Sequence, residues 1–148
     1  MNDPSINQPQ ALQLKDLHHI AVPCRDAQAS ERFYCQVLGF RPLPRPPFDF
    51  PGAWLYAGGI QIHLIQTSED RQFTQRPIDS RAFHLAFRVP DLQQACEQLK
   101  LWQIPFIQRV NAGGIAQIFL QDPDGMNIEL TVTTAPEFGY GQSPDLAP

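Results

Sequence analysis

His19-Ile-Ala-Val-Pro-Cys-Arg-Asp26 and His84-Leu-Ala-Phe-Arg-Val-Pro-Asp91 are two versions of one segment. Their histidines and their aspartates both stand 65 residues apart (84 − 19 and 91 − 26). Each version reads as a short strand opened by His and closed by Asp, whose side-chain oxygen can cap a helix. A helical stripe follows each aspartate. Phe33, Tyr34, Val37 and Leu38 form the first, and Gly39 is its stop. Leu92, Ala95, Cys96, Leu99 and Trp102 form the second.

Working outward, both halves continue with extended segments. Arg41-Pro-Leu43 begins one that the Pro-rich stretch 42–51 interrupts, and Ala53 to Ala57 is the next. After a Gly58-Gly59 turn, Ile60, Ile62 and Leu64 alternate with Gln61, His63 and Ile65, the period of two that marks a strand. In the second half, strands are expected over 83–89, 105–110, 115–121 and 127–132, with Asp122-Pro-Asp-Gly125 as a tight turn. The order is β-α-β-β-β, twice, an α+β chain. An offset of 66 places His63 on Glu129 (129 − 63), one residue of slip from the strand offset, as a loop insertion produces. Each half thus offers a His on its first strand and a metal-binding side chain on its last. Glu129 stands among Ile128, Leu130 and Val132, where a lone carboxylate would be costly to desolvate and a cation is the economical partner. His18 precedes the first strand and is expected to point to the opposite face from His19, as a surface residue or one that supports a ligand from behind.

The bulk properties narrow the class. A chain of 148 residues is long enough for one domain with a real core. Eleven basic residues against 15 acidic ones, with the basic ones scattered, exclude a nucleic-acid backbone binder. No apolar run approaches a membrane span, and residues 1–13 lack the apolar centre of a signal peptide, so a cytoplasmic location is expected. Three cysteines without a CxxC spacing argue against a disulfide framework. Cys35 and Cys96 are expected to be buried or partly buried hydrophobes, whereas Cys24, just past a strand, is expected where it can reach the surface. Residues 1–14 are read as a flexible arm, 15–134 as one domain with modules 15–70 and 82–134, and 135–148 as a flexible tail or one lying over the surface.

These segments resemble the vicinal oxygen chelate superfamily, which includes glyoxalase I, fosfomycin-modifying thiol transferases, bleomycin-resistance proteins and extradiol dioxygenases. The resemblance rests on Leu17-His-His-Ile-Ala-Val22, Ser30-Glu-Arg-Phe-Tyr-Cys-Gln-Val-Leu-Gly-Phe40, Gln61-Ile-His-Leu-Ile65, Phe83-His-Leu-Ala-Phe87 and Asp122-Pro-Asp-Gly-Met-Asn-Ile-Glu-Leu130. It implies two tandem βαβββ modules whose curved mixed sheet surrounds a metal-containing cleft. It also implies His19, His63, His84 and Glu129 as ligands of one divalent ion, Zn²⁺, Ni²⁺, Co²⁺, Mn²⁺ or Fe²⁺. A homodimer is the expected assembly. Superfamily members build the site within one chain or across a dimer, and the residues leave both open.

The implied activity is that of a divalent-metal-dependent lyase, isomerase or thiol transferase. Its substrate would be a small molecule with two adjacent oxygens, possibly a thiol adduct, with Glu129 as both ligand and general base. The alternatives are a drug-sequestering binding protein and an extradiol-type dioxygenase. Family glyoxalases carry an Arg four residues after the first ligand and an Asn four after the second. Pro23 and Thr67 stand at those places, so the usual glutathione anchors are missing. The Thr that fosfomycin transferases place two residues after the first His is Ala21, and no Arg follows Glu129. Phe48, Phe50, Trp54, Tyr56, Phe73 and Phe119 are candidates to line the cleft or to fill the core. Arg71, Arg76 and Arg81 are candidates to meet an anion, although solvated loop charges are the commoner case.

Overall fold

The computed structural model describes residues 11–68, 73 and 76–132. Eight strands and two helices follow the expected order: β1 His19–Cys24, α1 Ala27–Arg32, β2 Arg41–Leu43, β3 Gly52–Ala57, β4 Ile60–Gln66, β5 His84–Arg88, α2 Leu92–Leu101, β6 Phe106–Val110, β7 Ala116–Gln121 and β8 Asn127–Thr131. Asp26 caps α1 by accepting from the N–H groups of Gln28 and Ala29, and Asp91 caps α2 through Gln94. The first helical segment is longer than α1 alone. Phe33–Val37 forms a π-helical turn, and Gly39 ends the segment with a φ of +75°, a conformation that suits a residue without a Cβ.

The mixed sheet is divided into two four-stranded halves, one per module, in the orders β1-β4-β3-β2 and β5-β8-β7-β6. In each half the first and last strands pair in parallel and the rest are antiparallel. The internal repeat survives in the register. His19 lies opposite Gln61 and Ala21 opposite His63, while His84 lies opposite Asn127 and Ala86 opposite Glu129. The donors on the last strands therefore occupy equivalent places, as the offset of 66 requires.

Alternation sorts the faces. Val22, Leu55, Ile62 and Leu64 of the first module and Ile118, Leu120 and Ile128 of the second are essentially solvent-free and belong to one core cluster. Each such side chain contributes about 1.5–3 kcal/mol on burial. Cys24 belongs to this core with no exposed surface, which corrects the expectation that it reaches the surface. Burial, reinforced by the charge of Asp124, pushes its thiol up to about 11. The strand runs two residues further than Val22, so the inward-facing period carries Cys24 under α1.

A polar latch joins the modules. In the β7–β8 turn, Asp122 Oδ1 accepts from the N–H groups of Asp124 and Met126, both at 2.9 Å. Its Oδ2 accepts from the Tyr34 hydroxyl at 3.0 Å. Asp124 Oδ2 accepts from the Arg25 N–H (3.1 Å) and from the Ser30 hydroxyl (3.2 Å). Tyr34, expected as part of an apolar stripe, is fully buried and uses its polar end to hold the second module to the first.

Residues 11–18 are exposed and lie outside any strand or helix, while 1–10 and 133–148 fall outside the described residues, as does Arg71. No helix among the described residues is long and apolar enough to cross a membrane.

Candidate metal centre

In the first module the outward face of β1 and β4 carries His19 and His63. Antiparallel pairing brings Trp54 opposite His63. The three rings form a stack, with His63 4.1 Å from His19 at an interplanar angle of 13° and 4.3 Å from Trp54 at 9°. His63 Nε2 donates to Gln61 Oε1 at 3.0 Å, which leaves Nδ1 with the ring's lone pair. Burial holds the His63 pKa below the usual imidazole range, and the charges of His19, His18 and Arg45 act in the same direction. The ring is therefore neutral at neutral pH, the state that can donate to a cation. His18 does not turn away as expected. It precedes the strand, escapes its alternation, and sits with its Nδ1 2.9 Å from that of His19, one ring donating to the other.

In the second module His84 Nδ1 donates to the Ala82 carbonyl at 2.8 Å. A carbonyl can only accept, so the neutral ring keeps its proton on Nδ1 and presents a bare Nε2. That nitrogen stands 3.0 Å from Glu129 Oε2. Two lone pairs facing each other repel unless a positive species lies between them, either a proton that makes the ring an imidazolium or a metal cation. An imidazole whose far N–H is bound to a carbonyl is the usual arrangement of a metal-ligating histidine. Glu129 is only 7 % exposed, and its other oxygen accepts from Gln117 Nε2 at 2.6 Å. Phe119 packs edge-on to His84, with centroids 5.6 Å apart.

The four residues implied as ligands thus come together as two pairs, His19 with His63 and His84 with Glu129. Among the described residues no group of three or more His, Cys, Asp or Glu side chains is gathered to hold a metal ion. Each pair carries donors of a kind that fits a cation, two imidazoles in the first and an imidazole with a carboxylate in the second.

Residues 16–130 match the family described as Glyoxalase/Bleomycin resistance protein/Dioxygenase superfamily. The chain belongs to this superfamily. Glyoxylase I 4 of Arabidopsis thaliana is 36% identical over 124 residues, which cover 80% of this chain and 71% of that protein. Lactoylglutathione lyase of Pseudomonas aeruginosa is 30% identical over 140 residues, covering 76% and 80%. The crystal structure of the glyoxalase family protein from Enterococcus faecalis superposes with a TM-score of 0.63 at 28% identity, over 79% of this chain and 97% of that one.

Within this superfamily member the aromatic candidates separate. Phe119 and Phe73 are buried, Trp54 stacks on His63, and Phe48 and Phe50 stay largely exposed on the same side as Trp54, with Phe48 5.9 Å from it. The nearby cations are engaged. Arg45 lies over the rings of Phe48 and Phe50 and donates to the Phe50 carbonyl, and Arg41 lies over Tyr56. Arg76 and Arg81 are exposed. Sequence reasoning missed Gln61 and Gln117. The signal was present, since period-two alternation puts Gln61 on the face of His63 and Gln117 on that of Phe119. Only the strand register, however, brings Gln117 to Glu129.

Proposed function

We propose that this protein is a divalent-metal-dependent enzyme of the glyoxalase type, acting on a small substrate with two adjacent oxygens. The observation that carries the reading is His84 Nε2 held 3.0 Å from Glu129 Oε2 while Nδ1 of the same ring is committed to the Ala82 carbonyl. His84, Glu129, His19 and His63 would hold the ion. When bound, it supplies a Lewis acid that polarises a coordinated oxygen. The separation of the donors into two pairs supports a homodimer in which the His19–His63 half of one copy meets the His84–Glu129 half of the other.

The chain's own groups supply the rest. Gln117 occupies Oε1 of Glu129, leaving Oε2 as the oxygen that meets His84 and that can take a proton from the carbon beside a substrate oxygen. Burial of Glu129, which is 7 % exposed, keeps bulk water from that carboxylate. Ala82 holds His84 in its Nδ1–H form. Pro23 at one glutathione-anchoring position, and an Arg45 already engaged by Phe48 and Phe50, favour a thiol adduct other than that of glutathione, or no thiol at all.

The test is elemental analysis of the purified protein, followed by a panel of α-ketoaldehydes with several thiols on the metal-loaded form. About one tightly held divalent ion per site is expected. Protein that takes up none of Zn²⁺, Ni²⁺, Co²⁺ or Mn²⁺ would leave a binding protein as the better reading. On any substrate found, Glu129→Gln separates ligand from base, because an amide still offers an oxygen but is a far weaker base. Near-normal turnover with the metal retained would remove Glu129 as the base.

A further inference from the structure

The segment between β2 and β3 holds a half-buried cation beside the His63 stack. Arg45 stands between Pro44 and Pro46, and a residue that precedes proline is confined to extended backbone. Its guanidinium carbon lies 4.6 Å from the ring centroid of Phe48 and 4.9 Å from that of Phe50. Nη2 donates to the Phe50 carbonyl at 2.8 Å. The guanidinium reaches this place because residue 52 is glycine. A Cβ there would stand 3.3 Å from Nη2 and 3.4 Å from Nε, and would collide with the Leu64 carbonyl.

These contacts fix the cation without neutralising it. The rings take up the guanidinium face, and the carbonyl takes a single N–H, so most of the donor rim stays unused. Among the described residues no carboxylate forms an ion pair with Arg45. Phe48 is 45% exposed and Phe50 37%, so neither ring is a core residue. Their arrangement is that of a platform under a cation. The platform adjoins the face that carries the first donor pair. Phe48 lies 5.9 Å from Trp54, Trp54 4.3 Å from His63, and His63 4.1 Å from His19. The Arg45 charge is close enough to act on His63.

We propose that Arg45 anchors a carboxylate of the substrate, carried on the same molecule as the two adjacent oxygens that meet the ion. This rests on the metal-dependent reading given above and narrows its substrate to small carboxylates. The planar guanidinium matches the two oxygens of a carboxylate. A guanidinium already held by two rings, a carbonyl and a proline-bounded backbone loses little freedom when it binds. The cation also comes from a different element than the glutathione anchors whose places Pro23 and Thr67 occupy. The anion is therefore gripped from the β2–β3 side of the site rather than from the ends of β1 and β4.

Isothermal titration of the Zn²⁺-loaded full chain with two hydroxamates tests this. Both probes offer a metal two adjacent oxygens. Succinic monohydroxamate ends in a carboxylate where butyrohydroxamate ends in a methyl group. The unaltered protein is expected to bind the carboxylate probe about tenfold more tightly, the order of one hydrogen bond to a charged group. Arg45→Gln is expected to abolish that preference and to keep the affinity for butyrohydroxamate. Equal affinities in the unaltered protein overturn the proposal, as does a preference that survives in Arg45→Gln. Should Arg45→Gln bind neither probe, Arg45→Met, which keeps an apolar stem over the rings, is read by the same outcomes. Loss of both probes there as well means that Arg45 only supports its own segment, and the proposal fails. Butyrohydroxamate reads the metal centre by itself. If it does not bind the unaltered protein, the metal-dependent reading fails and takes this proposal with it. If it binds and no preference is seen, the carboxylate assignment alone is lost.

Discussion

His84 Nε2 stands 3.0 Å from Glu129 Oε2 while the other nitrogen of the same ring is committed to the Ala82 carbonyl. Two acceptors meeting edge to edge call for a positive charge between them, and a divalent ion is the species that the proposed function places there.

If both groups are ligands, His84→Ala and Glu129→Ala should each lose most of the affinity for a divalent ion, since too few donors remain to satisfy its charge and geometry. His18→Ala, which removes a neighbour of His19 and no predicted donor, should keep the ion. Elemental analysis after dialysis reads all three, and full metal occupancy in both ligand variants would dismiss the assignment.

Gln117 should behave as a positioning residue. Its amide holds Glu129 Oε1 at 2.6 Å. Gln117→Leu is expected to weaken metal binding by about 10–100-fold, the usual effect of losing a group that orients a ligand. Isothermal titration with Zn²⁺ measures it. An unchanged affinity would make the hydrogen bond a structural one only.

A site shared between two copies makes a prediction that a site within one chain does not. His19→Ala/His63→Ala and His84→Ala/Glu129→Ala each destroy a different half. In a co-refolded 1:1 mixture, half of the molecules are heterodimers, and each of those regains one of its two sites, so about a quarter of all sites should bind metal. A mixture that binds no more than its separate components would place all four donors of a working site on one chain.

The latch should be pH-dependent. Burial raises the Asp122 carboxyl above the usual range, and hydrogen bonds from Met126, Asp124 and Tyr34 partly oppose this. A folded pKa above the unfolded one means that the native state binds the proton more tightly. The contribution of Asp122 to stability is then full below its unfolded pKa and is lost as pH rises through the folded one. Tyr34→Phe removes a donor that favours the ionised form. Its cost should therefore be largest at neutral pH, about 1.5–3 kcal/mol, and should shrink in acid. Urea unfolding at pH 7 and pH 4 gives the comparison, and a cost that grows in acid would contradict the assignment.

Thiol labelling checks the core. Cys24 and Cys96 are buried, the former with its pKa pushed up to about 11, whereas Cys35 is half-buried. Iodoacetamide at pH 8 should modify Cys35 first and reach the other two only on unfolding. Mass spectrometry of the native protein settles the order, and early labelling of Cys24 would mean that β1 does not carry it inward.

Local pattern determined the architecture. Period-two alternation, two Asp caps and an offset of 65 residues are properties of positions along the chain. The two βαβββ modules and the face carrying Gln61, His63 and Ile65 are therefore legible in the amino-acid sequence alone. What lies between elements is not. His18 meets His19 because it precedes the strand, and Cys24 is inside because the strand runs on past Val22. Gln117 reaches Glu129 across a ladder whose register no single strand encodes. Whether the two donor pairs join within one chain or across two is also decided by how whole modules pack. That packing depends on buried contacts such as Tyr34 with Asp122, 88 residues apart, which form only when the chain has closed on itself.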